Sequence, residues 1–182
     1  MRPIFPTAFN ACWMFLLIRI SFAVQQAFLN KLIENPLDGG SSAWANSKGE
    51  LFVGDVQRYR IIKVGVDGTI SVVAGLGYYT YEFVESSYGT KLPASKKSFE
   101  LPVMSPRVIR GDSADNIYFT DDGFNKINRV SPSYKLTTIA GLRYGQGSGC
   151  SSPYDGMRAA GNGVCNPYGL HVDDQSRDVY FT

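Results

Sequence analysis

The chain has 182 residues, of which 44% are hydrophobic and 19% charged, with a formal net charge of +2. That length suits about one domain, and so small a charge excludes the clustered Lys/Arg field that phosphate backbones demand. The excess itself sits in residues 1–23, MRPIFPTAFNACWMFLLIRISFA, where Arg2 and Arg19 face no acid; the remainder carries 16 basic against 16 acidic side chains.

Residues 1–23 have a short basic start, an apolar stretch from Phe9 to Ile18, and small residues at Ser21 and Ala23. This is the layout of a secretory signal-peptide helix cleaved after Ala23. A membrane-spanning helix needs roughly 20 apolar residues, and Arg19 interrupts the run too early for one. The expected location is secreted or extracellular, with no membrane insertion after cleavage. A buried first helix and an uncleaved signal anchor are the alternatives. Residues 24–40 then read as a linker. Cleavage removes Cys12 and leaves Cys150 and Cys165, 15 residues apart, as one expected disulfide in an oxidising compartment. Closing such a loop contributes about 3 kcal/mol in the chain-entropy model; two unpaired small hydrophobes are the other reading.

An internal repeat organises the rest. SSAWANSKGELFVGDVQRYRIIKVGVDGTISVVAG (41–75) lies over SPRVIRGDSADNIYFTDDGFNKINRVSPSYKLTTIAG (105–141), with Asp55 on Asp121 and Gly75 on Gly141, both 66 residues apart. A third unit opens with NPYGLHVDDQSRDVYFT (166–182), whose VYFT repeats IYFT of 117–120. In the first unit LFVG, RIIKV and ISVVA are predicted strands, and Asp67-Gly68 is a hairpin signal. The second unit predicts strands near 107–111, 116–120, 126–130 and 136–140, separated by GDSAD, DDGFN and SPSYK. Repeated four-stranded antiparallel sheets are the blades of a β-propeller, each burying its faces against its neighbours. The fold class expected is therefore all-β, an incomplete propeller of about two and a half blades after the signal-peptide helix. Closed rings have about 4 to 8 blades, so the chain is expected to be a fragment of a longer protein, with an exposed strand edge and a tendency to associate.

These residues resemble the extracellular type of NHL-repeat β-propellers. NPYGLHVDD and DVYFT follow the family's opening; ELFVGD, RIIKV and DGTISVVAG follow the rest in the first unit, as do NIYFTD, INRV and LTTIAG in the second. The stretch AGLRYGQGSGCSSPYDGMRAAGNGVCNPYGL (140–170) is similar to the family's Gly-rich inter-blade connector. The resemblance covers about 36–182, dividing it into blade 41–75, an aromatic connector 76–104, blade 105–141, a Gly-rich connector 142–165 and the opening of a third blade at 166–182. Two departures stand out: GGSSAWANS lacks the family's Pro-x-Gly-Val, and DSADN replaces a simpler Gly-Asn turn.

Propellers are scaffolds with interchangeable surfaces, so function must come from particular residues. The chain has one histidine, His171, on the expected first strand of the third unit, where it faces a channel or packs as an ordinary strand residue. Asp55, Asp121-Asp122 and Asp173-Asp174 sit at strand ends and turns, where carboxylates accept local backbone N–H bonds. Calcium would need six to eight converging oxygens. No nucleophile elbow, metalloprotease helix motif or phosphate-cradling loop occurs. Arg58, Arg60 and Lys63 suit a solvated outer strand, and no nucleic-acid partner is expected. The first connector concentrates Tyr78, Tyr79, Tyr81, Phe83 and Tyr88; such rings offer rigid amphipathic contact area or else cap the blade end. The Cys150–Cys165 connector is a second candidate surface. The expectation is a non-catalytic scaffold with no cofactor and no metal, whose partner is a protein or other extracellular ligand. The alternative is the N-terminal part of a metal-dependent propeller enzyme of lyase or lactonase type, with its ligands in further blades.

Overall fold

A computed structural model describes residues 39–80, 95–142 and 158–182. The proposed signal peptide lies outside them, as do 81–94 of the first connector and 143–157 of the second. Ten strands are present among the described residues: β1 Gly40–Ala45, β2 Leu51–Asp55, β3 Arg60–Val64, β4 Ile70–Ala74, β5 Pro106–Gly111, β6 Ile117–Asp121, β7 Lys126–Val130, β8 Leu136–Ala140, β9 Leu170–Val172 and β10 Val179–Phe181. They form two four-stranded antiparallel meanders, β1-β2-β3-β4 and β5-β6-β7-β8, and a two-stranded pair, β9-β10. No α-helix occurs among the described residues. The four strands predicted for the second unit all form, with boundaries shifted by one residue at most.

The 66-residue repeat holds down to single hydrogen bonds. Each β1–β2-type turn is tied by a side-chain oxygen that accepts two backbone N–H groups. Asn46 Oδ1 accepts from Lys48 (3.1 Å) and Glu50 (2.9 Å), and Asp112 Oδ1 from Ala114 (3.0 Å) and Asn116 (2.9 Å). Asp173 Oδ1 accepts from Gln175 (2.8 Å) and Ser176 (3.2 Å) in the third unit. The residue that reverses each turn is left-handed: Gly49 (φ 81°), Asp115 (φ 57°) and Arg177 (φ 62°). DSADN therefore does the same work as a Gly-containing turn, because Asp tolerates the left-handed region better than most side chains. Each fourth strand ends at Gly75 (φ 92°) or Gly141 (φ 99°). A Cβ there would strike the carbonyl oxygen of Tyr59 or Asn125, so both the backbone angle and the close approach require glycine.

The sheets stack face to face with their first strands together. β1 touches β5, and β5 touches β9. Ser41 Oγ donates across the first junction to the carbonyls of Pro106 (3.0 Å) and Arg107 (2.8 Å), and Ser42 Oγ accepts from the Ile109 N–H (3.2 Å). Strand alternation assigns the two faces. Ile117 and Phe119 of β6 join Phe52, Ile61 and Val73 of the first sheet, along with Leu101 and Val103 of the connector. Tyr118, between them in sequence, packs the other way with Ile127, Val164 and Leu170. Full burial of each large aliphatic or aromatic side chain contributes about 1.5–3 kcal/mol, so most of the stabilising apolar area lies between sheets. Leu51, Val53, Ile62 and Val64 are buried on the far face of the first sheet.

Candidate functional site

Tyr78 and Tyr79 follow β4, at the end of the first sheet that also carries the β2–β3 turn. That turn is a single 3-10 turn, Val56–Arg58, closed by Tyr59 in the left-handed region at φ 51°. The Tyr59 N–H donates to Val56 O (3.1 Å), and its ring lies 5.4 Å from that of Tyr79 at a tilt of 49°. Tyr79 stands 43% exposed and Tyr78 59%. Three tyrosines from two segments thus form one end surface. Tyr81, Phe83 and Tyr88 lie outside the described residues, as does Cys150; Cys165 is described and exposed. Sequence reasoning missed Tyr59. Its signal was positional, since the repeat sets it on Asn125 (φ 52°) at a left-handed site where Asn is common and Tyr is not.

Asp121 is fully buried and accepts backbone bonds from Met104 (3.1 Å) and Ser105 (2.8 Å), pinning the incoming connector to β6. Its carboxyl is pushed up to about 6 because burial outweighs these N–H groups and the nearby Lys126 ammonium. Burial likewise lowers Lys126. The equivalent pair in the first sheet is Asp55 with Arg60, whose guanidinium Nε donates at 3.0 Å. Asp121 thus accepts backbone N–H bonds from 17 and 16 positions upstream where local ones were expected, and the solvated outer strand does not emerge as expected. Arg60 is ion-paired to Asp55 at 3.0 Å and Lys63 to Glu50 at 2.7 Å, both half-buried on the third strand.

Asp122 pairs with Arg107, whose guanidinium also lies 5.5 Å from the Tyr168 ring centroid. His171 is exposed on β9 directly opposite Tyr180, with ring centroids 6.2 Å apart. Its ring thus packs beside an aromatic side chain of β10. Among the described residues no three His, Cys, Asp or Glu side chains gather as a metal site would require.

The radial stack of antiparallel four-stranded sheets defines this chain as part of a β-propeller. No protein-family model matches it, and no curated protein does. Solved structures do. Virginiamycin B lyase from Staphylococcus aureus aligns at 17% identity and TM-score 0.47, over 81% of this chain and 36% of that one. An auxiliary nutrient binding protein from Bacteroides thetaiotaomicron aligns at 18% identity and TM-score 0.53, over 76% of this chain and 33% of that one. One from Bacteroides ovatus aligns at 16% and TM-score 0.52, with the same coverages of 76% and 33%. The chain spans about a third of the length of these propellers. At such identities the likeness shows the fold alone.

Proposed function

We propose that this chain is a segment of a secreted or cell-surface NHL-repeat propeller that binds a protein partner and is itself non-catalytic. The observation that supports this reading is the paired exposure of Tyr78 and Tyr79 at the end of the first sheet, with Tyr79 braced by Tyr59 at 5.4 Å. A ring held by a neighbour loses less side-chain freedom on contact, and tyrosine brings large area with a polar tip. Hot spots at protein interfaces are enriched in such residues. The core clusters among the described residues do not include these rings. Export rests on the 1–23 leader, and a Cys150–Cys165 bridge would hold the second connector against the same scaffold.

The test replaces Tyr78 and Tyr79 together by Ser in the full chain and measures both partner capture and thermal unfolding. Capture by the secreted protein is expected to fall at least tenfold, with a midpoint within a few degrees of wild type. Unchanged capture with a large drop in midpoint would assign the rings to packing. Stoichiometric zinc or calcium in the purified protein would instead favour the propeller-enzyme alternative.

A further inference from the structure

We propose that residues 24–35 of this chain dock as an amphipathic helix on the far face of the first sheet, the face turned away from the second sheet. Leu51 (1% exposed), Val53 (0%), Ile62 (3%) and Val64 (0%) carry that face on β2 and β3. Strands lying side by side cover one another's flanks and leave the face itself open, so burial this deep requires a layer on top. Among the described residues none supplies it. Every side chain clustered with these four, Ala43, Ala45 and Ile70 included, belongs to the first sheet. The second sheet lies on the opposite face, against Phe52, Ile61 and Val73.

The burial has a width, and the width points to a helix. On β4, Val73 and Ala74 are buried where they meet the second sheet and the connector, whereas Ile70 and Val72 on the far face are only half-buried. A further blade would cover β4 on this side as the second sheet does on the other. A single helix, about 10 Å across, covers about two strands spaced at roughly 4.8 Å. Residues 24–35, VQQAFLNKLIEN, set Val24, Phe28, Leu29, Leu32 and Ile33 on one stripe at helical spacing, with Gln26, Asn30, Lys31 and Glu34 opposite. Pro36 ends the run, because proline breaks a helix interior. Residues 81–94 and 143–157 are interrupted by glycine and proline instead. A helix over 24–35 is about 18 Å long, close to the roughly 17 Å of a five-residue strand such as β2 or β3. Residues 36–38 reach about 10 Å, enough to step from that layer down to β1 at Gly40. The polar stripe then faces water, and the segment finishes the first sheet as a polar-faced terminal unit finishes a stack. Residues 24–40 are thus more than a linker, and the first sheet is closed by its own chain.

The experiment places the photo-crosslinker p-benzoylphenylalanine at position 28 or, as a control, at position 30 of the full chain, and maps the products by peptide mass. Position 28 is expected to join to residues 51–53 or 62–64 of the same chain, at least tenfold more than position 30 does. A second measurement follows alkylation of Ile62→Cys, read on that peptide alone so that the other cysteines do not contribute. Leu29→Asp with Leu32→Asp is expected to speed alkylation at least tenfold, and Gln26→Asp with Asn30→Asp to leave it unchanged. The paired Tyr78 and Tyr79 variant should alter neither readout, so this proposal and the tyrosine surface fail separately. Crosslinks from position 28 to a second copy, to any other part of this chain, or to nothing would overturn the assignment, as would equal alkylation in the two pairs of variants. The crosslink needs no destabilising substitution, so it decides the matter even where a variant fails to fold.

Discussion

Asp121 shows how one buried carboxyl sets a pH dependence. Its folded-state pKa of about 6 stands above the 3.8 of an unperturbed aspartate, chiefly through desolvation. A raised value means that the protonated form is the better tolerated one in the folded protein. Its contribution is therefore fully present below about pH 4 and is lost as pH rises through about 6. The shift corresponds to about 3 kcal/mol, at about 1.4 kcal/mol per pKa unit. Met104 and Ser105 face this carboxyl through their N–H groups, and Lys126 through its charge. Asp121→Asn keeps an oxygen for the backbone donors and cannot titrate. Urea unfolding at pH 4 and pH 7 should show wild type losing stability relative to Asp121→Asn over that interval. Parallel curves would show that the carboxyl does not titrate there. The letters alone placed Asp121 at a strand end; its burial depends on the connector residues that fold over it from 16 and 17 positions upstream.

The blade repeats because its turns repeat, and the turns are where local chemistry speaks loudest. Asn46, Asp112 and Asp173 each fold a turn back with one side-chain oxygen, so GDSAD and the longer VDDQSRD turn by the same chemistry. The fourth strands end with less tolerance. An alanine in the left-handed region costs about 1–2 kcal/mol, and at Gly141 the added Cβ also meets the backbone oxygen of Asn125 and the Cα of Lys126. At Gly77 (φ 83°) nothing among the described residues lies within 4 Å of such a Cβ. Gly141→Ala is therefore expected to lower the unfolding free energy by more than Gly77→Ala, by roughly 1–3 kcal/mol beyond the shared backbone cost. Denaturant midpoints of the two variants measure this directly; equal losses would mean that the Asn125 turn relaxes freely. The first strand of the first unit was the least legible element, because GGSSAWANS lacks the family's usual opening. It forms nonetheless, with Trp44 tilted onto Phe52 at 5.7 Å and serines tying its backbone neighbour in the next sheet.

Across the molecule, the two inter-sheet cores make successive blades depend on one another, and the polar chain Lys63–Glu50–Asn46–Asp115–Lys48 bridges the first two of them. The proposed export and cross-link are tested at this scale. Intact mass under non-reducing conditions should show a start at Val24 and a mass two hydrogen atoms lower for a Cys150–Cys165 bridge. Two alkylatable thiols in native material would overturn the bridge, and a retained leader would move the chain to an anchored form.

Sequence by itself determined the strand pattern, the 66-residue spacing and the all-β class, because alternation, turn residues and recurrence are written locally along the chain. Which face of each strand meets which neighbour was decided only in three dimensions. Period two announces two faces without naming what covers either: Phe119 and Tyr118 are adjacent letters that enter different cores. The stacking of Tyr59 on Tyr79 and the bonding of Asn46 to Asp115 join residues 20 and 69 positions apart. The first pair forms within one sheet, where β4 returns beside β3, and the second through the packing of whole sheets; no local pattern encodes either.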